Sequence, residues 1–261
     1  MSTWLLALLA LAAGTSRAPA SRTLTVFAAA SLSDAFTELG PIVERSRPGL
    51  SIRFNFAGSQ QLVSQLELGA RADVFASADE RWMRRAVAGG LVEGQPVVFA
   101  SNRLVVIVPR SNPDGIERLQ DLARPGVKLV LAADVVPAGH YARQVLARLG
   151  QASGFPPEYA RRALANVVSN EENVKAVVAR VQLGEADAGL AYRSDVTPAV
   201  AARVRVLEIP EARNIVAEYP MAVLAAADDT ADARAFIDAA LGPEGRRVLE
   251  RHGLLSAAPA R

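Results

Sequence analysis

The chain alternates short apolar runs with stretches whose apolar residues recur at helical spacing. Two apolar stripes, Leu32 to Val43 and Val174 to Val181, have the three-to-four-residue spacing of one helix face. The short runs predict β-strands, and their alternation with helices predicts an α/β fold with parallel sheets. The predicted strands are Leu24–Ala28, Ser51–Phe56, Val74–Ala76, Leu104–Val108, Lys128–Ala132, Ala188–Ala191, Val204–Ile209 and Met221–Ala225.

Helix ends are predicted from capping patterns. Ser31-x-x-Asp34 and Ser77-x-x-Glu80 match the capping box that begins a helix. Gly69 and Gly184 stand where helices are expected to end. Two further helices are predicted near the C-terminus, at 230–241 and 243–252.

Two long extended stretches, Gln95–Pro109 and Asn214–Leu224, indicate how the chain is organised. Strands of this length could each run from one lobe to another, as a hinged protein of two lobes requires. We therefore expect residues 21–100 to begin the first lobe, 101–220 to form the second, and 221–261 to return to the first.

The N-terminus resembles an export signal. The apolar run Trp4–Ala13 is too short to span a bilayer, and Ala18-Pro-Ala20 provides the small residues at which a signal peptidase cleaves. Residues 1–20 are thus predicted to be a cleaved signal peptide. The sequence contains no cysteine, which excludes disulfides, thiolate catalysis and a lipid-anchor cysteine. A free exported protein is expected in the periplasm.

Charge and motif content narrow the function classes. The 29 basic and 27 acidic residues give a net charge of +2, and the arginines are scattered, so no nucleic-acid partner is expected. His140 and His252 are the only histidines and lack ligand spacing, so no free cation site is predicted. No phosphate loop, dinucleotide fingerprint or nucleophile elbow occurs. An exported α/β hydrolase or transferase stays an alternative, without a plausible nucleophile and base.

Two serines carry the candidate chemistry. Ser31 and Ser59 each follow a predicted strand directly and stand at a predicted helix start. Helix starts offer unpaired N–H groups and a positive dipole end, and a serine adds a hydroxyl donor. No lysine or arginine lies closer to either serine than Arg53. An anion site built from neutral donors favours reversible capture over chemistry, so we expect a binding protein, not an enzyme.

Three further segments could contribute to the same crevice. Pro137 suits the first turn of a helix, and the small Ala138 lets a backbone amide approach a ligand. A second helix start lies at Asn170–Lys175, and Tyr192 ends a predicted strand. Donors alone disfavour a protonated anion, because its O–H would face another donor. Phosphate is therefore disfavoured, and sulfate, molybdate and tungstate stay open.

A set of motifs spread over nearly the whole mature chain resembles the periplasmic molybdate-binding proteins of ABC importers. The six motifs are Phe27-Ala-Ala-Ala-Ser-Leu, Phe56-Ala-Gly-Ser-Gln-Gln-Leu, Ala72-Asp-Val-Phe-Ala-Ser-Ala-Asp, Asn102-Arg-Leu-Val-Val-Ile-Val-Pro, Val136-Pro-Ala-Gly-His-Tyr-Ala and Tyr219-Pro-Met-Ala-Val. The resemblance implies a type II binding-protein fold with two lobes that clamp the oxyanion, and a membrane ABC permease as partner.

The resemblance also implies the residues that bind molybdate or tungstate. Hydroxyl groups would come from Ser31, Ser59 and Tyr192, and backbone amides from Ser59, Ala138 and Val174. No cofactor is expected besides this ligand, and a monomer is expected. Gly58 and Asn173 depart from the commonest family pattern beside Ser59 and Val174. A sulfate or thiosulfate receptor is the neighbouring alternative.

Overall fold

The computed structural model describes residues 21–256, and the predicted signal peptide lies outside them. The strands are β1 (Arg22–Ala29), β2 (Leu50–Ala57), β3 (Val74–Ala76), β4 (Val92–Pro109), β5 (Leu129–Ala132), β6 (Val167–Glu171), β7 (Ala188–Tyr192), β8 (Val204–Glu208), β9 (Val216–Leu224) and β10 (Leu255–Ser256). The α-helices are α1 (Ser33–Ser46), α2 (Ser59–Glu67), α3 (Glu80–Ala88), α4 (Pro137–Gly150), α5 (Tyr159–Ala165), α6 (Val174–Gln182), α7 (Pro198–Ala201), α8 (Thr230–Leu241) and α9 (Pro243–Arg251).

The strands follow the order β2-β1-β3-β9-β4-β7-β5-β6, with β8 and β10 also paired to β4. We call the part around β1, β2, β3, β9 and β10 the first lobe, and the part around β5, β6, β7 and β8 the second lobe. Within each lobe the strands that alternate with helices are parallel: β1 with β2 and β3, and β5 with β6 and β7. The pairs that involve β4 or β9 are antiparallel.

Strand β4 belongs to both lobes. It pairs with β9 as far as Arg103 opposite Val216. From Leu104 to Pro109 it pairs with β7 and β8 instead. The change of partner between Arg103 and Leu104 places one connection between the lobes in β4. Strand β9 pairs only with β3 and with the first-lobe part of β4, so the other connection lies where the chain enters β9.

The predicted helix stripes form the faces that pack on the sheets. Leu32, Phe36, Leu39 and Val43 are buried in the first lobe. The four valines of α6 are buried in the second. Phe36 contacts the rings of Phe99 and Phe236, with the Phe36 and Phe236 centroids 5.3 Å apart. Apolar burial of this kind stabilises each lobe around its own sheet.

Several local predictions were wrong. Strand β6 was missed, because its half-exposed and polar sequence Val-Val-Ser-Asn-Glu lacks an apolar run. The sheets are mixed, since the hinge strands run antiparallel to their neighbours. Neither capping box forms: α1 begins at Ser33 after a turn of 3-10 helix, Ala30–Leu32, and α3 begins at Glu80 with Asp79 as its cap. Among residues 21–256, no helix has the length and apolar character needed to cross a bilayer.

Candidate functional site

A small cavity lies between the two lobes. All five residues that the sequence singled out line its wall: Ser31, Ser59, Ala138, Val174 and Tyr192. Each is at most 4 % exposed. The structure thus brings together groups from β7, from the turn after β1, and from the first residues of α2, α4 and α6.

Ser59 is held at the start of α2. Gly58 is the N-cap of this helix, and its N–H donates to Oε1 of Gln61 at 2.9 Å. The Ser59 hydroxyl oxygen accepts a hydrogen bond of 3.0 Å from the backbone N–H of Ala78, the residue that lies two positions after β3. Because its oxygen is engaged as an acceptor, the hydroxyl proton of Ser59 is free to be donated into the cavity.

Ser31 lies in the 3-10 turn between β1 and α1. Its Oγ atom lies 2.9 Å from the hydroxyl oxygen of Tyr219. The serine therefore does not cap α1, whose N-cap is Leu32 and which has no side-chain cap. Its hydroxyl is instead hydrogen bonded to another buried polar side chain beside the cavity.

The start of α4 brings backbone donors from the second lobe. Pro137 occupies the first position of the helix after Val136, and the N–H of Ala138 is one of the first-turn groups for which the helix has no carbonyl. Gly139 permits this placement, because a Cβ atom there would lie 2.2 Å from the carbonyl oxygens of Ala132 and Ala133. The missing side chain thus serves packing of α4 on β5.

The start of α6 is built around Asn173. Its Oδ1 atom accepts a hydrogen bond of 3.1 Å from the N–H of Ala176, so Asn173 is the N-cap of the helix. Val174 is then the first helical residue, and its N–H has no helical carbonyl to bind. The departure from the family pattern at Asn173 therefore preserves the amide donor at Val174.

Tyr192 closes the cavity at the end of β7. Its side chain is 1 % exposed, and its hydroxyl meets hydrogen-bonding geometry with no atom of residues 21–256. Burial raises the pKa of this hydroxyl well above its ordinary value. Tyr192 thus presents a neutral donor in the cavity wall.

No charged side chain stands among the described residues that line the cavity. The nearby cation of Lys175 is engaged with two carboxylates, at 2.6 Å from Asp34 Oδ2 and 3.2 Å from Asp195 Oδ1. Burial would lower the pKa of Lys175, but the two carboxylates outweigh it and raise the pKa. The side chains that line the cavity are therefore all neutral.

Other contacts across the cleft bring the lobes together. Trp82 in the first lobe donates from Nε1 to the carbonyl oxygen of Val135 in the second, at 2.8 Å. Gln60 donates from Nε2 to the carbonyl oxygen of Glu172 at 2.9 Å. With the bridge from Lys175, these contacts describe a closed arrangement of the two lobes.

Sequence reasoning assigned no role to several polar residues around the site. Asn102 and Tyr219 stood in motifs quoted for the family resemblance, but nothing in one sequence indicates that they hydrogen bond to each other or to Ser31. The pairing of Lys175 with Asp195 was missed for the same reason. Asp79 caps α3 by accepting from the N–H of Trp82.

A buried cavity of neutral donors between two lobes that are connected through two long strands defines a two-lobe solute-binding protein. The comparisons with known proteins agree. Residues 24–255 match the family described as bacterial extracellular solute-binding protein. The molybdate-binding protein ModA of Mycobacterium bovis is 40 % identical over 233 residues, which cover 89 % of this chain and 84 % of that protein.

Solved structures share the fold. The periplasmic molybdate-binding protein of Azotobacter vinelandii has a TM-score of 0.77 at 20 % identity, covering 90 % of this chain and 100 % of that one. The sulfate-binding protein SubI of Mycobacterium tuberculosis has a TM-score of 0.80 at 17 % identity, covering 91 % and 88 %. The chain belongs to the bacterial extracellular solute-binding protein family, in the group that contains the ModA molybdate-binding proteins, so the resemblance found in the sequence is confirmed.

Proposed function

We propose that the protein binds molybdate or tungstate in the cavity between its lobes and delivers it to a membrane ABC permease. The observation that carries the proposal is the convergence of five expected donor residues on one buried cavity. The 40 % identity to a molybdate-binding protein over most of both chains supports the choice of ligand. Hydroxyl groups would come from Ser31, Ser59 and Tyr192, and amides from Ser59, Ala138 and Val174.

The energetics favour a fully deprotonated oxyanion. Removing an anion from water is costly, and the cost is offset only if its oxygens receive hydrogen bonds. Hydrogen bonds to a charged group contribute about 1.5–3 kcal/mol each, and the N-termini of α2, α4 and α6 add favourable dipoles. A tetrahedral dianion offers acceptors in all directions, which matches a wall of donors from both lobes.

Binding and closure are coupled in this proposal. The ligand would contact Ser31 and Ser59 in the first lobe, and Ala138, Val174 and Tyr192 in the second. Since both sets are available together only when the lobes are closed, the ligand stabilises the closed form over the open one. The permease would then distinguish loaded from empty protein by its shape.

The remaining features concern where the protein works and how its lobes are divided. We propose that residues 1–20 are removed on export and that the mature protein acts in the periplasm as a monomer, without an enzymatic activity or a cofactor. Membership of an extracellular solute-binding family supports export. The lobes would comprise residues 21–100 with 221–261, and 101–220, with the hinge in β4 and at the start of β9.

Isothermal titration calorimetry of residues 21–261 with molybdate, tungstate, sulfate and phosphate tests the proposal. We expect saturable binding of molybdate and tungstate, weaker binding of sulfate, and the weakest binding of phosphate. Equal affinity for sulfate would instead favour the sulfate or thiosulfate receptor. If all four anions fail to bind, and an ester or phosphorylated substrate is turned over in a way that requires Ser31 or Ser59, the hydrolase alternative is correct.

A further inference from the structure

A chain of buried hydrogen bonds connects Ser31 to the two strands that join the lobes. Ser31 Oγ lies 2.9 Å from the hydroxyl oxygen of Tyr219 on β9, and that oxygen lies 3.4 Å from Nδ2 of Asn102 on β4. The side chains of Tyr219 and Asn102 are fully buried. Only Ser31 of the three lines the cavity, so the role of the other two is not explained by contact with a ligand.

The direction of these hydrogen bonds follows from Asn102. The backbone N–H of Arg103 donates to Oδ1 of Asn102 at 3.0 Å, which identifies Oδ1 as the acceptor end of the amide. The Nδ2 group then donates its two hydrogens, one to Ser194 Oγ at 2.8 Å and one to the Tyr219 hydroxyl.

The hydrogen bond from Asn102 to Tyr219 also determines which way the hydrogen bond between Tyr219 and Ser31 points. The Tyr219 oxygen accepts from Asn102, and Ser31 Oγ is its other hydrogen-bonded partner among the described residues, so Ser31 Oγ receives the single proton of Tyr219. Burial raises the pKa of Tyr219, so the proton is held at every pH at which the protein would work. Ser31 therefore accepts from Tyr219, and its own proton is directed to the cavity. The hydroxyl oxygen of Ser59 likewise accepts a hydrogen bond, from the N–H of Ala78, so its proton is also available to the cavity.

We propose that Asn102 and Tyr219 are positioning residues that hold the Ser31 hydroxyl as a donor and so discriminate against oxyanions that carry a proton. The inference rests on the proposed function of the cavity and explains how its selectivity is enforced. A bare oxyanion accepts from Ser31. A protonated oxyanion could bind there only if Ser31 turned to accept, which the hydrogen bond from Tyr219 opposes.

The test measures a ratio of affinities by competition calorimetry near pH 8. Phosphate at about that pH is a dianion that carries one proton, so its comparison with molybdate isolates the effect of the proton from that of charge. In Tyr219→Phe, Ser31 loses its donor and can turn to accept. We expect the Kd of phosphate relative to that of molybdate to fall about tenfold, which corresponds to about 1.4 kcal/mol.

A matched control and a second variant separate polarity from packing. Tyr159→Phe removes another buried hydroxyl, which donates to the carbonyl oxygen of Leu119 at 2.7 Å away from the cavity, and should leave the ratio unchanged. Asn102→Asp keeps the size and the acceptor for Arg103 but removes the hydrogen given to Tyr219. It should also lower the ratio, because the carboxylate accepts the proton of Tyr219 and Ser31 is then free to accept from the ligand. The added charge repels both dianions and so cancels in the ratio.

The outcomes are distinct. The inference is supported if the ratio of the phosphate Kd to the molybdate Kd falls in Tyr219→Phe and Asn102→Asp and stays at the wild-type value in Tyr159→Phe. An unchanged ratio in Tyr219→Phe and Asn102→Asp, with either variant folded by circular dichroism, overturns it while the proposed function stands. Failure of the wild-type protein to bind any of the unprotonated dianions overturns both.

Discussion

The ammonium group of Lys175 in the second lobe lies 2.6 Å from Oδ2 of Asp34 in the first lobe. The same group lies 3.2 Å from Oδ1 of Asp195, a fully buried carboxylate whose Oδ2 accepts from the N–H of Tyr192. One cation therefore joins the two lobes next to Val174 and Tyr192. Because the bridge spans the two lobes, we expect opening of the cleft to break it.

Lys175→Met is expected to weaken both folding and binding. Removal of the cation leaves the buried carboxylate of Asp195 without an opposite charge, which costs roughly 3 kcal/mol of the free energy of unfolding. Loss of the bridge to Asp34 also disfavours closure, so the Kd for molybdate should rise about tenfold. Urea denaturation at neutral pH and calorimetry measure the two effects.

The other lysine of the sequence supplies the control for this prediction. Lys128 is exposed, and Lys128→Met should change neither quantity appreciably. Because the pKa of Lys175 is raised, its charge is retained at every pH below its ordinary value of 10.5 and is lost only above it. Equal stability and affinity of Lys175→Met and wild type would contradict a role of the bridge in closure.

Ser59→Ala is expected to reduce affinity by about 1–3 kcal/mol, because a hydrogen bond to a charged ligand is lost. The variant also leaves the N–H of Ala78 without the oxygen that accepts from it, which should lower stability modestly. Ser64→Ala, on the exposed side of the same helix, is the matched control. Titration curves that coincide for the two variants would place the binding cavity elsewhere.

Gly139→Ala is expected to displace the start of α4. The new Cβ atom would meet backbone carbonyl oxygens of Ala132 and Ala133 at 2.2 Å, and backbone cannot move aside as a side-chain tip can. We expect a stability loss of about 1–3 kcal/mol and weaker binding through the amide of Ala138. Gly150→Ala, at the other end of α4 with contacts of 3.4 Å or more, should be tolerated.

Affinity for molybdate should not vary between about pH 7 and pH 9, because the expected binding groups are hydroxyls and amides. Among the five expected binding residues, only Tyr192 has a binding group that titrates, and burial raises its pKa well above 10.0. Its proton is therefore present throughout this range and would be lost only at higher pH. Calorimetry at three pH values checks this, and a fall in affinity centred within the range would require a titrating group in the cavity.

The sequence predicted the parts of the fold that depend on local pattern. The stripe of Phe36 and Leu39, the long strands, and the helix starts at Ser59 and Val174 are each encoded in a few consecutive residues. Strand β6 was not predictable in this way, because a polar and half-exposed strand has no distinct apolar signal. Its place in the sheet is determined by pairing with β5.

The five cavity residues were found from sequence because each stands beside a strand end or a helix start, or within a family motif. The support around them was not found. Tyr219 lies 188 positions from Ser31, and Asp34 lies 141 positions from Lys175. Only the folded chain brings such residues together, so no pattern of neighbouring residues in the sequence predicts their hydrogen bonds.

An oxyanion bound by neutral donors of both lobes is expected to hold the protein closed. Small-angle X-ray scattering of residues 21–261 with and without saturating molybdate tests it most directly. We expect a smaller radius of gyration on addition of molybdate, and no change with the same concentration of phosphate. Superimposable scattering curves in a sample that binds molybdate by calorimetry would contradict it.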